Sequence, residues 1–178
     1  MAEPDDEKGL IRESQQGKAG AFEELVRSHQ RMIHALTFRM TGSMTDSEDL
    51  AQETFLRAYR QLESYRGESK FSSWLYRIGI NLCLNWRKRQ QREADLLAEW
   101  VQRNEPAAGA GDDRSGEIQQ ALMKLHPKQR AAIVLTVYEG LNHAEAATAL
   151  GCSETTVSWR VFAARAKLKG LLKRAGDR

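Results

Sequence analysis

A chain of 178 residues with a formal net charge of +3 has room for one ordinary domain or two small ones, each burying only a thin core. No run of about 18 apolar residues is present to span a membrane, and the acidic start MAEPDDEKG is unlike a secretory signal, so a cytoplasmic protein without membrane insertion is expected. Cys83 and Cys152 lie far apart with no Cys or His nearby at ligand spacing; they argue against a disulfide framework or zinc site and read as buried small apolar residues.

Charge is partitioned along the chain. Residues 1–68 carry nine Lys/Arg against thirteen Asp/Glu, and residues 69–92 carry six basic residues and no acidic one. Residues 93–117 carry two basic against seven acidic, and from 118 onward there are ten against four. Two cationic segments divided by an acidic one fit two separate nucleic-acid contacts.

Three prolines and apolar residues at three- and four-residue spacing, without strict alternation, predict an all-α chain. Two small helical domains are expected, residues 1–95 and 117–178, joined by a flexible linker at 96–116 where NEPAAGAGDDRSG offers nothing to pack. In the first domain, helices are predicted at 6–16, 19–41, 46–63 and 71–92, with breaks at Gly17, Gly42 and Gly67. The third of these, DSEDLAQETFLRAYRQL from Asp46, opens with a capping box from Thr45 to Glu48 and buries Ala51, Phe55, Ala58 and Leu62. Its other face, with Asp46, Asp49, Glu53, Arg57 and Arg60, reads on its own as a solvated salt-bridge surface.

The loop Ser64–Lys70, SYRGESK, is suited to hold one unstacked base, although loops this short are usually only turns. The helix that follows, FSSWLYRIGINLCLNWRKRQQR, buries a stripe of Leu75, Ile78, Gly79, Leu82 and Trp86. Beside that stripe, Trp74, Arg77, Asn81, Asn85 and Lys88 fall within about a quarter-turn of one another. An aromatic for stacking, cations for phosphate and amides for base edges suit single-stranded nucleic acid. The alternative is an ordinary solvated flank, but no acidic residue interrupts the row.

In the second domain, helices are predicted at 117–125, 128–139, 143–150 and 154–174, with Ile133, Leu135 and Val137 in the core and Leu141 as scaffold. Asn142 three residues before Glu145, and Ser153 ahead of the last helix, are helix starts. Ala147, Gly151 and Val157 sit where a helix-turn-helix needs a small residue, a positive φ and an apolar anchor. Val157, Val161, Ala164, Leu168 and Leu171 form the inner stripe of the last helix, which turns Thr155, Trp159, Phe162 and Ala166 outward. Trp159 and Phe162 read either as packing for another helix or, flanked by Arg160, Arg165 and Lys167, as a DNA recognition surface; the second reading is preferred because the opposite stripe already supplies the core.

DSEDLAQETFLRAYRQL followed by YRGESKFSSWLYRIGINLCLNWRKR resembles region 2 of extracytoplasmic-function RNA polymerase sigma factors, and Asn142–Leu168 resembles their region 4. The resemblance implies that Asp46, Glu48, Asp49, Gln52, Glu53 and Arg57 dock on the clamp helices of the polymerase β′ subunit, reversing the salt-bridge reading of that face. It implies that Lys70, Phe71, Trp74, Arg77 and Asn81, with the loop from Ser64, melt and read the non-template strand of the minus-10 element. Asn85, Arg87 and Lys88 extend that surface, the basic run holding nearby phosphates. The helix from Ser153, with Thr155, Thr156, Ser158, Trp159, Arg160, Phe162 and Arg165, would enter the major groove of the minus-35 element while the rest of its domain sits on the β-flap. An anti-sigma factor is an expected further partner, and no cofactor is implied.

Where this family often has a basic residue, then a serine, and further on an arginine, the chain has Ser158, Trp159 and Ala163; two cationic contacts are missing, so its minus-35 sequence cannot be taken from relatives, and Trp159 and Phe162 are the expected replacements. No nucleophile, acid–base pair or metal set stands out: His29, His34, His126 and His143 are scattered, and enzyme activity is not expected. The rival readings are a stand-alone helix-turn-helix transcriptional regulator and an RNA-binding protein using the basic helix and Trp74.

Overall fold

The computed structural model describes residues 4–101 and 114–176; the middle of the expected linker, 102–113, lies outside them. Among the described residues the chain runs α1 (Pro4–Gln15), α2 (Ala19–Thr41), α3 (Met44–Gln61) with a 3-10 turn Leu62–Ser64, and α4 (Phe71–Val101). It continues with α5 (Arg114–Met123), α6 (Pro127–Ile133) and its π-helical extension Val134–Tyr138, α7 (His143–Leu150) and α8 (Glu154–Gly176).

α2, α3 and α4 pack as a bundle around Leu25, Ile33, Leu36, Leu50, Ala58 and Leu75. Gly79 sits at the tightest approach: a Cβ there would lie 3.1 Å from Leu36 Cδ2 and 3.4 Å from Thr54 Oγ1, which accounts for a glycine inside a helix. The cap of α3 differs from expectation. Ser43 accepts the Asp46 N–H at 3.3 Å, and Thr45 lies inside the helix, so the box from Thr45 to Glu48 does not form. Trp86 is half-buried, packed against the core at its edge, and its indole N–H donates to Asp46 Oδ1 at 3.1 Å. Burial pushes the Cys83 thiol up to about 12, whereas Cys152 is only half-buried.

The C-terminal unit closes around Ala131, Ile133, Val134, Leu135, Val157 and Ala164. Val137 is 51% exposed, contrary to the expected core position. The π-helical turn Val134–Tyr138 shifts the helical phase and carries it outward. Asn142 and Glu145 form the predicted capping box on α7, Gly151 ends that helix at φ 60°, and Ser153 Oγ accepts the Thr156 N–H at 3.2 Å.

The two units pack on each other, with α7 against α4 and the α5–α6 segment against the end of α2. Arg130, 1% exposed, joins them: its guanidinium donates to the carbonyls of Leu122, Met123 and Leu125 around the end of α5 and to Met40 O in the last turn of α2. Gln119 Nε2 adds a bond to Phe38 O at 3.1 Å. These carbonyls lie at or just past helix C-termini, where the dipole favours a cation, although Phe38 O and Leu122 O also accept the backbone N–H groups of Gly42 and Leu125. Burial, and secondarily the charge of Arg87, lowers the Arg130 pKa to about 10, leaving it charged at neutral pH. Replacing Arg130 with Met should lower unfolding stability by about 3 kcal/mol, measured by urea denaturation. Arg130→Lys should recover only part of the loss, since a point donor cannot serve carbonyls on two helices.

Candidate nucleic-acid interface

α4 carries the first surface. Arg77, Asn81, Asn85 and Lys88 are exposed along one side of the helix, as the spacing predicts. Trp74 is half-buried at the head of the row, its ring tilted against Tyr65 at 5.2 Å and Phe71 at 5.5 Å between centroids. Phe71 is a correction: it is 1% exposed and meets His29 and Tyr65 edge-on, so it forms the floor beneath Trp74 and offers no contact surface. Lys70 is exposed but paired to Glu145 Oε1 of α7 at 2.7 Å. That bond, with the Asn142 N–H, holds the Glu145 carboxyl below its usual range. Arg87 is half-buried and close enough to Arg130 for its charge to be felt there.

A second stripe of α4 was not anticipated. Tyr76, Ile80 and Cys83 share one buried face of the helix, and Tyr76 and Cys83 turn toward Glu139 and Arg130 of the C-terminal unit. The Tyr76 hydroxyl donates to Glu139 Oε2 at 2.7 Å, and Arg39 of α2 donates to Glu139 Oε1 at 3.0 Å. The Arg39 guanidinium also lies 4.5 Å above the Tyr138 ring. Desolvation, then the bond to Glu139, raises the Tyr76 pKa. The sequence carried a signal for the stripe, apolar residues at four- and three-residue spacing, but none for its partner 63 positions away.

On α8 the aromatic pair stands clear of the protein: Trp159 is 63% and Phe162 74% exposed, with Thr155 and Arg165 exposed beside them. Ser153 and Ser158 are exposed too, and Ser158 Oγ shares a hydrogen bond of 2.8 Å with His143 Nδ1. Thr156 is half-buried, its hydroxyl bonded to Ser153 at 2.9 Å. Arg160 folds back onto the turn, half-buried, with Nη1 3.4 Å from Cys152 Sγ.

α3 presents the acidic face. Glu48, Asp49 and Gln52 are exposed; Glu53 and Arg57 form an ion pair at 2.7 Å, and Asp46 is engaged by Trp86. Adjacent to it is an apolar cavity of about 560 Å³ between α2 and α3, lined by Phe22, Val26, Phe55, Leu56 and Tyr59. Leu56 and Tyr59, each 51% exposed, gave an outward apolar signal that the sequence reading passed over. Among the described residues no group of three or more His, Cys, Asp and Glu could hold a metal ion, and no helix is long and apolar enough to cross a membrane.

Residues 25–93 match the family described as Sigma-70 region 2, and residues 115–168 the family described as Sigma-70, region 4. The chain is 33% identical to the RNA polymerase sigma-H factor of Pseudomonas aeruginosa over 93% of each chain. It is 32% identical to the ECF RNA polymerase sigma-E factor of Haemophilus influenzae, covering 97% of this chain and 98% of that one. CnrH, solved in complex with the cytosolic domain of CnrY, superposes with a TM-score of 0.72 at 29% identity, covering 95% of this chain and 98% of that one. RpoE of Bartonella quintana, a sigma factor solved with the anti-sigma factor NepR, gives 0.65 at 26% identity, covering 85% and 96%. With both halves matched in order and whole relatives above 30% identity, the chain belongs to the extracytoplasmic-function group of the sigma-70 family.

Proposed function

We propose that this sigma factor reads a promoter with two helices, α4 on the melted minus-10 strand and α8 in the minus-35 major groove, while α3 docks on the polymerase clamp helices. The observation that carries the reading is the row of Trp74, Arg77, Asn81, Asn85 and Lys88, open along α4 with no carboxylate among them. Unstacking a base costs a few kcal/mol, and stacking on an aromatic returns about 1–3 kcal/mol per base. Trp74, set on the Phe71 floor, is the side chain placed to supply it. Polymerase performs the chemistry and the sigma factor the positioning, in the cytoplasm. Trp159 and Phe162 read the duplex element through thymine methyls and groove shape, with Arg165 at phosphate. The apolar cavity beside Leu56 and Tyr59 extends the docking face of α3.

The packed arrangement has to open for this. With α7 seated on α4, the two reading helices belong to one body and cannot reach separated elements of one promoter. The two structural relatives solved with partner proteins match this chain across both units, which supports an anti-sigma factor acting on the closed form.

Transcription from a promoter library by core polymerase should appear only with this protein and should share two upstream elements; duplex binding without polymerase stimulation would instead indicate a stand-alone regulator. Trp74→Ala should slow promoter opening about tenfold or more while leaving closed-complex affinity within about twofold, measured by permanganate reactivity and gel shift. Domain closure should weaken at acid pH. The Glu145 carboxyl is held low in the closed form, so its pairing with Lys70 contributes above the ordinary carboxylate range and is lost as pH falls through the depressed value. Energy transfer between dyes on the two units should fall there, and should be independent of that titration in Glu145→Gln.

A further inference from the structure

The head of α8 carries the hydroxyls of Ser153, Thr155, Thr156 and Ser158, and they are engaged differently. Ser153 and Thr156 bond to each other at 2.9 Å, and Ser153 Oγ caps the helix through the Thr156 N–H. Thr155 is exposed. Among the described residues, Ser158 alone of these hydroxyls reaches another helix: its Oγ lies 2.8 Å from Nδ1 of His143, the first residue of α7.

The junction that sets this distance is a stiff one. α7 packs on α8 with Ala147 and Val157 buried in one core, and Gly151 at φ 60° makes the turn between them. Ser158 nonetheless remains exposed. Three residues after Thr155 and four before Phe162, it shares their outward side of the helix, on the edge nearest α7.

A serine hydroxyl has one proton to donate and two lone pairs to accept with, so in the major groove it can face either a base carbonyl or a base amino group. A partner within the protein removes that freedom. A neutral imidazole has one N–H and one accepting nitrogen. If Nδ1 accepts, the Ser158 proton is held by it and the oxygen offers DNA only lone pairs; if Nδ1 donates, the hydroxyl proton stays free for a base acceptor. The docking geometry of a helix-turn-helix favours the first arrangement. Its first helix crosses the phosphate backbone, which only accepts, so the other ring nitrogen is needed there as the donor.

Resting on the minus-35 reading above, we infer that His143 is a specificity-determining positioning residue. Its Nδ1 takes the Ser158 proton, its Nε2–H serves the backbone, and Ser158 Oγ selects a base with a major-groove amino group, adenine through N6 or cytosine through N4. Guanine or thymine at the same position sets an oxygen against an oxygen.

The test is selection by holoenzyme from a library of promoters randomised in the minus-35 element, read by sequencing. One position should favour adenine or cytosine on one strand over guanine or thymine by about fivefold, and Ser158→Ala should abolish that preference. His143→Ala, which frees the hydroxyl proton, should bring it to within about twofold while leaving the other positions and core-polymerase affinity unchanged. His143→Asn, whose Oδ1 stands where Nδ1 stood, should restore it. A preference that survives His143→Ala, that fails to return in His143→Asn, or that runs toward guanine and thymine in the wild type overturns the inference, as does the absence of any position responding to Ser158→Ala. A wild-type holoenzyme with no base preference anywhere in the element overturns the minus-35 reading itself, and the inference with it.

Discussion

A single buried cation governs how the two halves of this chain meet. Arg130 donates to carbonyls of α2 and of the α5 segment at once, at helix ends where the regular backbone pairing runs out. Stripping water from a guanidinium is unfavourable, and the lowered pKa records it, but the planar fork offers enough donors to bind several carbonyls together. Gly42 follows from the same junction. It ends α2 at φ 74°, a conformation that favours glycine, and a Cβ there would crowd the Met123 side chain at 3.1 Å. Once α5 is fixed on α2, α6 follows, the helix-turn-helix lands on α4, and Glu139 and Glu145 come within reach of Tyr76, Arg39 and Lys70.

What was legible in the sequence is what local periodicity and local bonding decide. The helices, the Asn142 capping box, the Gly151 turn and the outward Trp159 and Phe162 all depend on partners within a few residues. The failures are of two kinds. At Thr45 and Val137 the local signal had a local competitor, a serine two residues earlier and a π-helical turn that changed the phase. At Phe71 the residue type was right for nucleic acid, but His29 and Tyr65, brought in from other elements, enclosed it. The contacts between the halves had no local trace, because Arg130 and Met40, or Lys70 and Glu145, are 90 and 75 positions apart.

α4 shows why closure and recognition coexist. Its Leu75–Leu82 stripe belongs to the first bundle, its Tyr76–Cys83 stripe to the second, and the row proposed to read the minus-10 strand lies on what remains. Closure therefore leaves Arg77, Asn81 and Asn85 exposed and engages only Lys70 directly. What it restrains is the spacing between α4 and α8, the two helices proposed to read the promoter, rather than access to either one.

Separating the halves would hydrate the Phe38 and Met40 carbonyls, expose Tyr76, Ile80 and Cys83, and relieve the repulsion between Arg87 and Arg130. Loss of the Arg130 and Gln119 bonds and exposure of the three side chains oppose opening, whereas rehydration of the Arg130 guanidinium and relief of its repulsion with Arg87 favour it. Surfaces that bind the separated halves would supply free energy for opening, and on the proposed reading this couples promoter recognition to polymerase.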